Sequence, residues 1–251
     1  MLTSQRKLHL LELLKRDGQI VAKTLSEQLG LSEDTIRRDL RELAREGLLQ
    51  RVHGGALPAS PAMAPFAERQ HISSDAKPAI GRAAAAMIAP GQVVFIDGGT
   101  TAVQLVRHLA PDLRATVVTH SPSIALELVE HAQIEVIMLG GHLFKHSIVG
   151  VGAHTIEAIG RIRADLYFMG VSGLHPEAGI TTGDFEEAAV KRALSLAAAR
   201  TVVLASPEKL DTASPFQIAP LSQVGAIVVN AGVADALVAP YRALGIAMVL
   251  A

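Results

Sequence analysis

The sequence predicts two α/β units in one chain, a small helical unit followed by a larger one with a mostly parallel sheet. Leucines recur at helical spacing through the first 56 residues, which indicates a compact group of helices. From residue 93 onward, short β-branched runs alternate with helical stretches, which is typical of a doubly wound sheet. A length of 251 residues accommodates one small and one larger domain.

The composition limits the kinds of core and site that the chain can form. Aromatic residues make up only 3% of the sequence, so Ala, Val, Leu and Ile must fill the core. The chain has no cysteine, which excludes disulfides and thiolate metal sites and fits a cytoplasmic protein. No apolar run approaches the roughly 18 residues of a membrane span, and no apolar segment follows the first charges. We therefore expect no membrane contact and no signal peptide.

The first two helices are separated by clear stop signals. Leucine spacing predicts a helix from about Thr3 to Arg16, and Asp17-Gly18 ends it. A second, shorter helix is predicted from about Ala22 to Leu29. Gly30 then supplies a turn before the third helix.

The third helix, from about Glu33 to Arg45, has one apolar face and several polar ones. Ser32 is placed to cap its N-terminus, because a serine oxygen accepts a hydrogen bond from an unpaired backbone amide there. Apolar residues at i, i+4 and i+7 form the inward face. The other faces leave hydroxyl and guanidinium groups free to contact phosphates and base edges. An ordinary solvated amphipathic helix is the alternative interpretation.

A small strand pair is predicted after the third helix. Residues 48–55 follow Gly47 and carry Arg51 and His53, as the wing of a winged helix-turn-helix would. The net charge of residues 1–56 is mildly positive, whereas the remainder is mildly negative. The predicted DNA contacts are Ser32, Thr35, Arg37, Arg38, Arg41, Arg51 and His53.

These N-terminal motifs closely resemble the signature of the DeoR-type (GlpR-like) bacterial transcriptional regulators. The resemblance lies in residues 32–40, 46–49 and 52–56. It implies that the helix from Glu33 to Arg45 is a recognition helix for double-stranded operator DNA. Since one recognition helix covers only a half-site, we expect a homo-oligomer, a dimer or a tetramer.

A proline-rich stretch marks the domain boundary. Residues 57–65 contain three prolines and show no helical or strand period, which predicts a semi-rigid, extended linker. We therefore divide the chain into a winged helix-turn-helix domain (1–57), a linker with a short lead-in (58–74) and an effector-binding domain (75–251). An alanine-rich helix is predicted from Lys77 to Met87, ended by Pro90-Gly91.

Six short apolar runs in the larger unit predict parallel strands. Each run precedes a small or polar loop, and sheets of this kind bind ligands outside the carboxyl ends of their strands. The predicted strands are Val93–Ile96, Ala115–Thr119, Val136–Leu139, Leu166–Met169, Thr201–Leu204 and Ala226–Val229.

The loops that follow these strands carry the polar chemistry. Asp97, Gly98, Gly99, Thr100 and Thr101 place glycines and hydroxyls at a helix N-terminus, where backbone amides favour an anion. The loop lacks the lysine of a Walker A motif and the G-x-G-x-x-G spacing, so nucleotide binding is the weaker interpretation. Further donors and positive charges for a phosphate come from Thr119, His120, Ser121, Gly140, Gly141, Lys191 and Lys209, although any single lysine is also typical of a solvated surface.

This half also resembles the C-terminal effector domain of the DeoR family. The resemblance lies in residues 95–101, 139–141, 165–173 and 190–193. It implies a fold similar to ribose-5-phosphate isomerase and a phosphorylated sugar as the effector, with no other cofactor. The effector contacts that the resemblance implies are Asp97, Gly98, Gly99, Thr100, Thr101, Ser121, Gly140, Gly141 and Lys191.

Three residues differ from the family pattern near the strand ends. His120 replaces the usual Asn, Ser206 replaces an Asp that precedes the lysine, here Lys209, and Asn230 replaces a frequent Asp. Fewer acidic groups at these positions would change how sugar hydroxyls are held.

The sequence leaves two alternatives open, an isomerase activity and a metal site. A sugar-phosphate isomerase with an appended DNA-binding domain would need Asp97, Asp165 or Glu187 for proton transfer, but the sequence shows no paired acids. His142 and His146 have the i, i+4 spacing of a helical metal site, with His154 nearby, yet the surrounding glycines and β-branched residues favour a loop. The sequence therefore predicts a DNA-binding repressor that is neither an enzyme nor a metalloprotein.

Overall fold

The computed structural model describes residues 2–251 and contains the two predicted units. Residues 3–58 form a winged helix-turn-helix, in which the third helix begins at Glu33 and ends at Arg45 as the sequence predicts. A three-stranded antiparallel sheet of order β1-β3-β2 forms the wing. The elements of this unit are α1 (Thr3–Asp17), β1 (Ile20–Val21), α2 (Ala22–Leu29), α3 (Glu33–Arg45), β2 (Leu49–Val52) and β3 (Gly55–Pro58).

The third helix is held by a leucine core and by one shielded ion pair. Leu10, Ile36 and Leu40 are among the buried residues that join α1 to α3. The carboxylate of Asp39 is 2% exposed and accepts two hydrogen bonds from the guanidinium of Arg6 on α1. Because α3 is packed on one side in this way, its opposite side stays in solvent.

The larger unit is built on a seven-stranded parallel sheet, which confirms the predicted fold class. The strand order is β15-β14-β12-β9-β4-β5-β6. Its strands are β4 (Val93–Ile96), β5 (Ala115–Thr119), β6 (Ile134–Met138), β9 (Ala164–Gly170), β12 (Ala198–Leu204), β14 (Ala226–Val229) and β15 (Ala247–Leu250).

Helices cover both faces of the sheet, so alternate residues of one strand enter different cores. Phe168 of β9 packs in the core under α5–α7, whereas Tyr167 and Met169 pack in the core under α8–α10. These helices are α5 (Ala76–Ala85), α6 (Thr100–Arg107), α7 (Pro122–Glu127), α8 (Ala153–Ile159), α9 (Phe185–Ala197) and α10 (Asp235–Ala243).

Two small antiparallel sheets were not predicted from the sequence. They lie beside the carboxyl ends of the parallel strands, one as a hairpin and one as a three-stranded sheet of order β10-β11-β13. The strands are β7 (His142–Phe144), β8 (Val149–Val151), β10 (Gly173–His175), β11 (Gly179–Thr182) and β13 (Phe216–Ala219). The expectation of a loop around His142 is therefore wrong, because that residue begins β7.

The proline-rich linker is packed against the larger unit rather than extended into solvent. Ala59 forms a bridge with Ala213, Ala62 is buried, and the Ser60 hydroxyl donates to the carbonyl of Ser172. A 3-10 turn (Pro61–Met63) and a short helix, α4 (Phe66–Arg69), follow. Small side chains let this backbone approach the larger unit closely, which composition alone did not indicate. Within residues 2–251, no helix is both long and apolar enough to cross a membrane.

Candidate functional site

The carboxyl ends of the central strands converge on one buried carboxylate. Asp97 follows β4 directly, and its side chain is fully shielded from solvent. Five groups donate hydrogen bonds to its two oxygens: the Gly98 amide (2.8 Å), His120 Nε2 (2.8 Å), the Tyr167 hydroxyl (3.1 Å), the Gly170 amide (2.9 Å) and Lys191 Nζ. The carboxylate therefore ties together the loops after β4 and β5, the end of β9, and α9.

Charge compensation keeps this carboxylate ionised in spite of its burial. Burial opposes the charged form, but Lys191 and His120 together hold the pKa of Asp97 well below its usual range. Burial also opposes the charge of Lys191, yet Asp97 and Glu187 outweigh it and raise the pKa of Lys191. Both groups are charged at neutral pH as a result.

Each ring nitrogen of His120 lies within hydrogen-bond distance of an oxygen atom. Its Nδ1 lies 2.7 Å from the carbonyl oxygen of Gly150, and its Nε2 faces the Asp97 carboxylate. Both ring nitrogens are thus engaged within the protein, which fixes the orientation of the ring behind the pocket.

A pocket lies in front of this carboxylate, at the N-terminus of α6. The first amides of a helix have no intrahelical partner, and Gly99 caps this helix with a φ of 128°. The hydroxyl oxygen Oγ1 of Thr101 is buried and has no hydrogen-bond partner among the described residues. From the predicted set, the pocket is lined by Gly98, Gly99, Thr100, Thr101, Lys191 and Lys209.

Two further cations reach the same pocket, Arg69 from α4 and Lys77 from the first turn of α5. Arg69 and Lys77 both line it, beside Lys209. Burial lowers the pKa of Lys209 to about 8, and the charges of Arg69 and Lys77 add to this effect. No local pattern in the sequence marks Arg69 or Lys77 as a pocket residue, because only the fold brings them to the strand ends.

The remaining predicted effector residues lie outside the pocket lining. Thr119 and Ser121 are buried, and the Ser121 hydroxyl donates to the carbonyl of Ile148 at 3.1 Å. At Gly141, whose φ is 153°, an added Cβ would lie 2.1 Å from the Thr155 hydroxyl oxygen. His120, Gly140 and Asp97 likewise serve the packing behind the pocket, since their polar groups are engaged within the protein.

The three departures from the family pattern have different surroundings. His120 belongs to the buried network, and the buried Ser206 donates its hydroxyl to Glu208 at 2.6 Å. Asn230 lies at the end of β14, outside the pocket lining. Asp165, a candidate acid for the isomerase alternative, accepts a hydrogen bond from the amide of Val93 at the start of β4. It therefore lies at the amino-terminal ends of the strands, away from the pocket.

Most of the predicted DNA contacts are exposed on the small unit, with Thr35 half-buried, and Arg51 and His53 of the wing also line a cleft that faces His175 and Glu177 of the larger unit. Arg37 is paired with Glu33 at 2.7 Å. Arg38 and Arg41 are exposed and have no carboxylate within 4 Å among residues 2–251. Ser32 caps α3 by accepting from the amide of Thr35 at 3.2 Å. On the wing, Arg51 and His53 are also exposed.

The histidines considered as metal ligands do not form a metal site in the described part of the chain. His142 lies on β7, and His146 instead contacts the carbonyl oxygen of Met63 at 3.0 Å. Across residues 2–251, no group of three His, Cys, Asp or Glu residues is placed to hold a metal ion.

A winged helix-turn-helix joined to an α/β domain with a strand-end pocket is the architecture of a ligand-responsive DNA-binding regulator. Comparison with known families agrees with this class. Residues 6–61 match the DeoR-like helix-turn-helix domain, and residues 72–231 match the DeoR C terminal sensor domain. The chain therefore belongs to the DeoR family of transcriptional regulators.

Similar proteins cover almost the whole chain. The HTH-type transcriptional regulator GlpR of Haloferax volcanii is 37% identical, over 94% of this chain and 92% of its own length. The glycerol-3-phosphate regulon repressor of Escherichia coli is 30% identical, over 91% of each chain. Among solved structures, ribose 5-phosphate isomerase A of Methanocaldococcus jannaschii has a TM-score of 0.40 at 16% identity, over 53% of this chain and 52% of the isomerase.

The buried ion cluster predicts a specific pattern of stabilities. Asp97→Asn removes one charge with little change of shape, so Lys191 loses its compensation, and we expect the free energy of unfolding to fall by about 3–5 kcal/mol. Adding Lys191→Met should recover part of that loss, because the uncompensated charge is then gone. Urea unfolding followed by circular dichroism measures both effects.

Asp112→Asn is the matched control, since Asp112 is exposed and should tolerate the change. If Asp97→Asn were as stable as this control, or if the losses at Asp97 and Lys191 simply added, the cluster would not carry the stability assigned to it.

Proposed function

We propose that this chain is a repressor that binds operator DNA through α3 and is controlled by a phosphorylated small molecule, of the sugar-phosphate class, bound at the N-terminus of α6. The excess of cations around the pocket is the observation that carries the effector class. It is supported by the unpaired Thr101 hydroxyl and by the free amides of the helix.

The DNA-binding part of the proposal rests on the exposed face of α3. Arg38 and Arg41 are exposed and have no ion-pair partner within 4 Å among residues 2–251, so their charges are available to phosphates or guanine edges. Arg51 and His53 on the wing offer a second contact on the same unit. Since one α3 covers a half-site only, two copies of the chain bind one operator.

The effector would control DNA binding by shifting an equilibrium between two arrangements of the chain. A ligand can do this only if it binds the two arrangements with different affinity. A role as an isomerase is less well supported, because the Asp97 carboxylate is saturated with donors and is not free to accept a substrate proton.

Truncation of a recognition-helix arginine should weaken DNA binding without affecting the pocket. A duplex first selected from a random pool by the full chain serves as the probe. Arg38→Ala should raise the dissociation constant of this duplex by roughly tenfold. If Arg38 contacts a phosphate, the slope of log affinity against log salt concentration should also become smaller by about one. Arg163→Ala, in the other domain, should bind as the wild type does. Equal affinities for both variants would show that α3 is not the DNA-binding helix.

Matched ligand pairs test the effector class. Glycerol is compared with glycerol 3-phosphate, and glucose with glucose 6-phosphate, by thermal unfolding of the full chain. A cognate phosphorylated ligand at ~100 times its dissociation constant should stabilise the protein by about 2.7 kcal/mol. Thr101→Ala should reduce this effect. Stabilisation by the unphosphorylated members to the same extent would contradict a phosphate-binding pocket.

The depressed pKa of Lys209 predicts a pH-dependent affinity. The Lys209 ammonium is charged below pH 8 and loses its proton as the pH rises through that value, and only the charged form attracts an anion. Affinity for inorganic phosphate should therefore fall roughly tenfold between about pH 7.5 and about pH 9, a range in which phosphate is mainly a dianion and becomes more so.

Lys209→Arg provides the control, because an arginine remains charged throughout this range. Its affinity for phosphate should be nearly constant with pH. A wild-type affinity that also stayed constant would show that Lys209 does not contact the anion.

A further inference from the structure

The segment that covers the pocket connects it to the DNA-binding domain. This segment, residues 60–77, begins just after β3 of the wing and ends in α5. It is held by the bond from Ser60 to Ser172, by the amide of Phe66, which donates to the carbonyl of His146 at 3.0 Å, and by Lys77. Lys77 Nζ donates to the carbonyls of Arg69 and Ile72. The Lys77 ammonium therefore stabilises the conformation of the segment through contacts within it.

The guanidinium of Arg69, in this covering segment, is half-buried and lies 5.9 Å from the centroid of the Phe66 ring, a contact that compensates its charge only in part. Its guanidinium has no carboxylate within 4 Å among residues 2–251, and its Nε is buried without a partner. Its Nη2 makes only long contacts, to the carbonyl of His146 (3.5 Å) and the hydroxyl of Ser147 (3.3 Å). By contrast, the shielded guanidinium of Arg6 donates to a carboxylate.

An uncompensated guanidinium is costly inside a protein unless an anion approaches it. Burial lowers the pKa of Arg69, which reflects this cost. Arg69 also lines the same pocket as the α6 N-terminus, Thr101 and Lys209. An anion there would gain a charge-assisted contact and would relieve the unpaired charge at the same time.

We propose that Arg69 binds the anionic group of the effector and thereby makes the covering segment part of the effector site. The inference rests on the proposed phosphate-binding function of the pocket. When the anion binds, the guanidinium turns from its weak contacts with His146 and Ser147 toward the pocket. The hold on the covering segment changes as a consequence, and this segment leads directly into the wing.

The test uses the full chain and inorganic phosphate, with chloride at matched ionic strength. Arg69→Gln should weaken phosphate binding, measured by titration calorimetry, by about 10- to 100-fold. Arg69→Lys should recover part of the affinity, since it keeps the charge without the planar group. Arg82→Gln, which changes an exposed arginine of α5, is the matched control and should bind phosphate normally.

Two further measurements separate ligand binding from a structural role. In the absence of phosphate, Arg69→Gln should be at least as stable as the wild type, because it removes an unpaired charge. Hydrogen exchange of residues 60–77 should slow on addition of phosphate in the wild type but not in Arg69→Gln. A structural arginine would instead give a destabilised variant in the absence of phosphate.

The outcomes distinguish this inference from the proposed function. If the wild type binds phosphate and Arg69→Gln binds it equally well, the role of Arg69 is wrong while the phosphate pocket stands. If exchange of residues 60–77 does not respond to bound phosphate, the coupling to the covering segment is wrong. If the wild type shows no phosphate binding at all, both the pocket assignment and the role of Arg69 are overturned.

Discussion

The buried carboxylate of Asp97 is the interaction on which the rest of the larger domain depends. A single acidic side chain organises the ends of β4 and β9, the loop after β5 and helix α9, because β9 contributes two hydrogen-bond donors to it and each of the others contributes one. Burying an isolated charge is unfavourable, so the carboxylate of Asp97 must become buried together with its cationic partner. The position of the α6 N-terminus, which directly follows the Asp97 loop, is fixed by the same contacts.

Charge balance differs between the back and the rim of the pocket. At the back, the ammonium of Lys191 pairs with the carboxylates of Asp97 and Glu187, so its charge is compensated. At the rim, the carboxylate of Glu208 accepts from Ser73 and Ser206. Arg69, Lys77 and Lys209 have no ion-pair partner within 4 Å in the part of the chain that the structure describes. This local excess of positive charge is the basis of the proposal that the pocket binds an anion.

Local sequence signals predicted much of the fold. The predicted bounds of α2, α3, β4, β5 and β14 agree with the structure. Capping residues, glycine turns and β-branched runs are local signals of a few residues each, so the sequence shows them directly. The β7–β8 hairpin was missed because its strands have only three residues each and no strong alternation. The packing of the proline-rich linker against the larger unit was not predicted, since contact with a distant surface leaves no local pattern in the sequence.

The site was harder to predict than the fold, for a physical reason. The residues that follow the predicted strands lie near the strand ends in the structure. The sequence does not show which of their side chains face the pocket and which face the core. Thr101 and Lys209 line the pocket, whereas Ser121 and Gly141 support the packing beside it. Arg69 comes from another segment altogether, and its approach depends on the tertiary fold.

We propose that the pocket at the α6 N-terminus binds an anion between that helix and the covering segment. A crystal structure of the full chain grown with tungstate tests it most directly, because the anomalous scattering of tungsten locates this phosphate-like anion. We predict one tungstate within hydrogen-bond distance of the first amides of α6 and of Arg69 or Lys209. Tungstate bound at other places, with none in this pocket, would contradict the account.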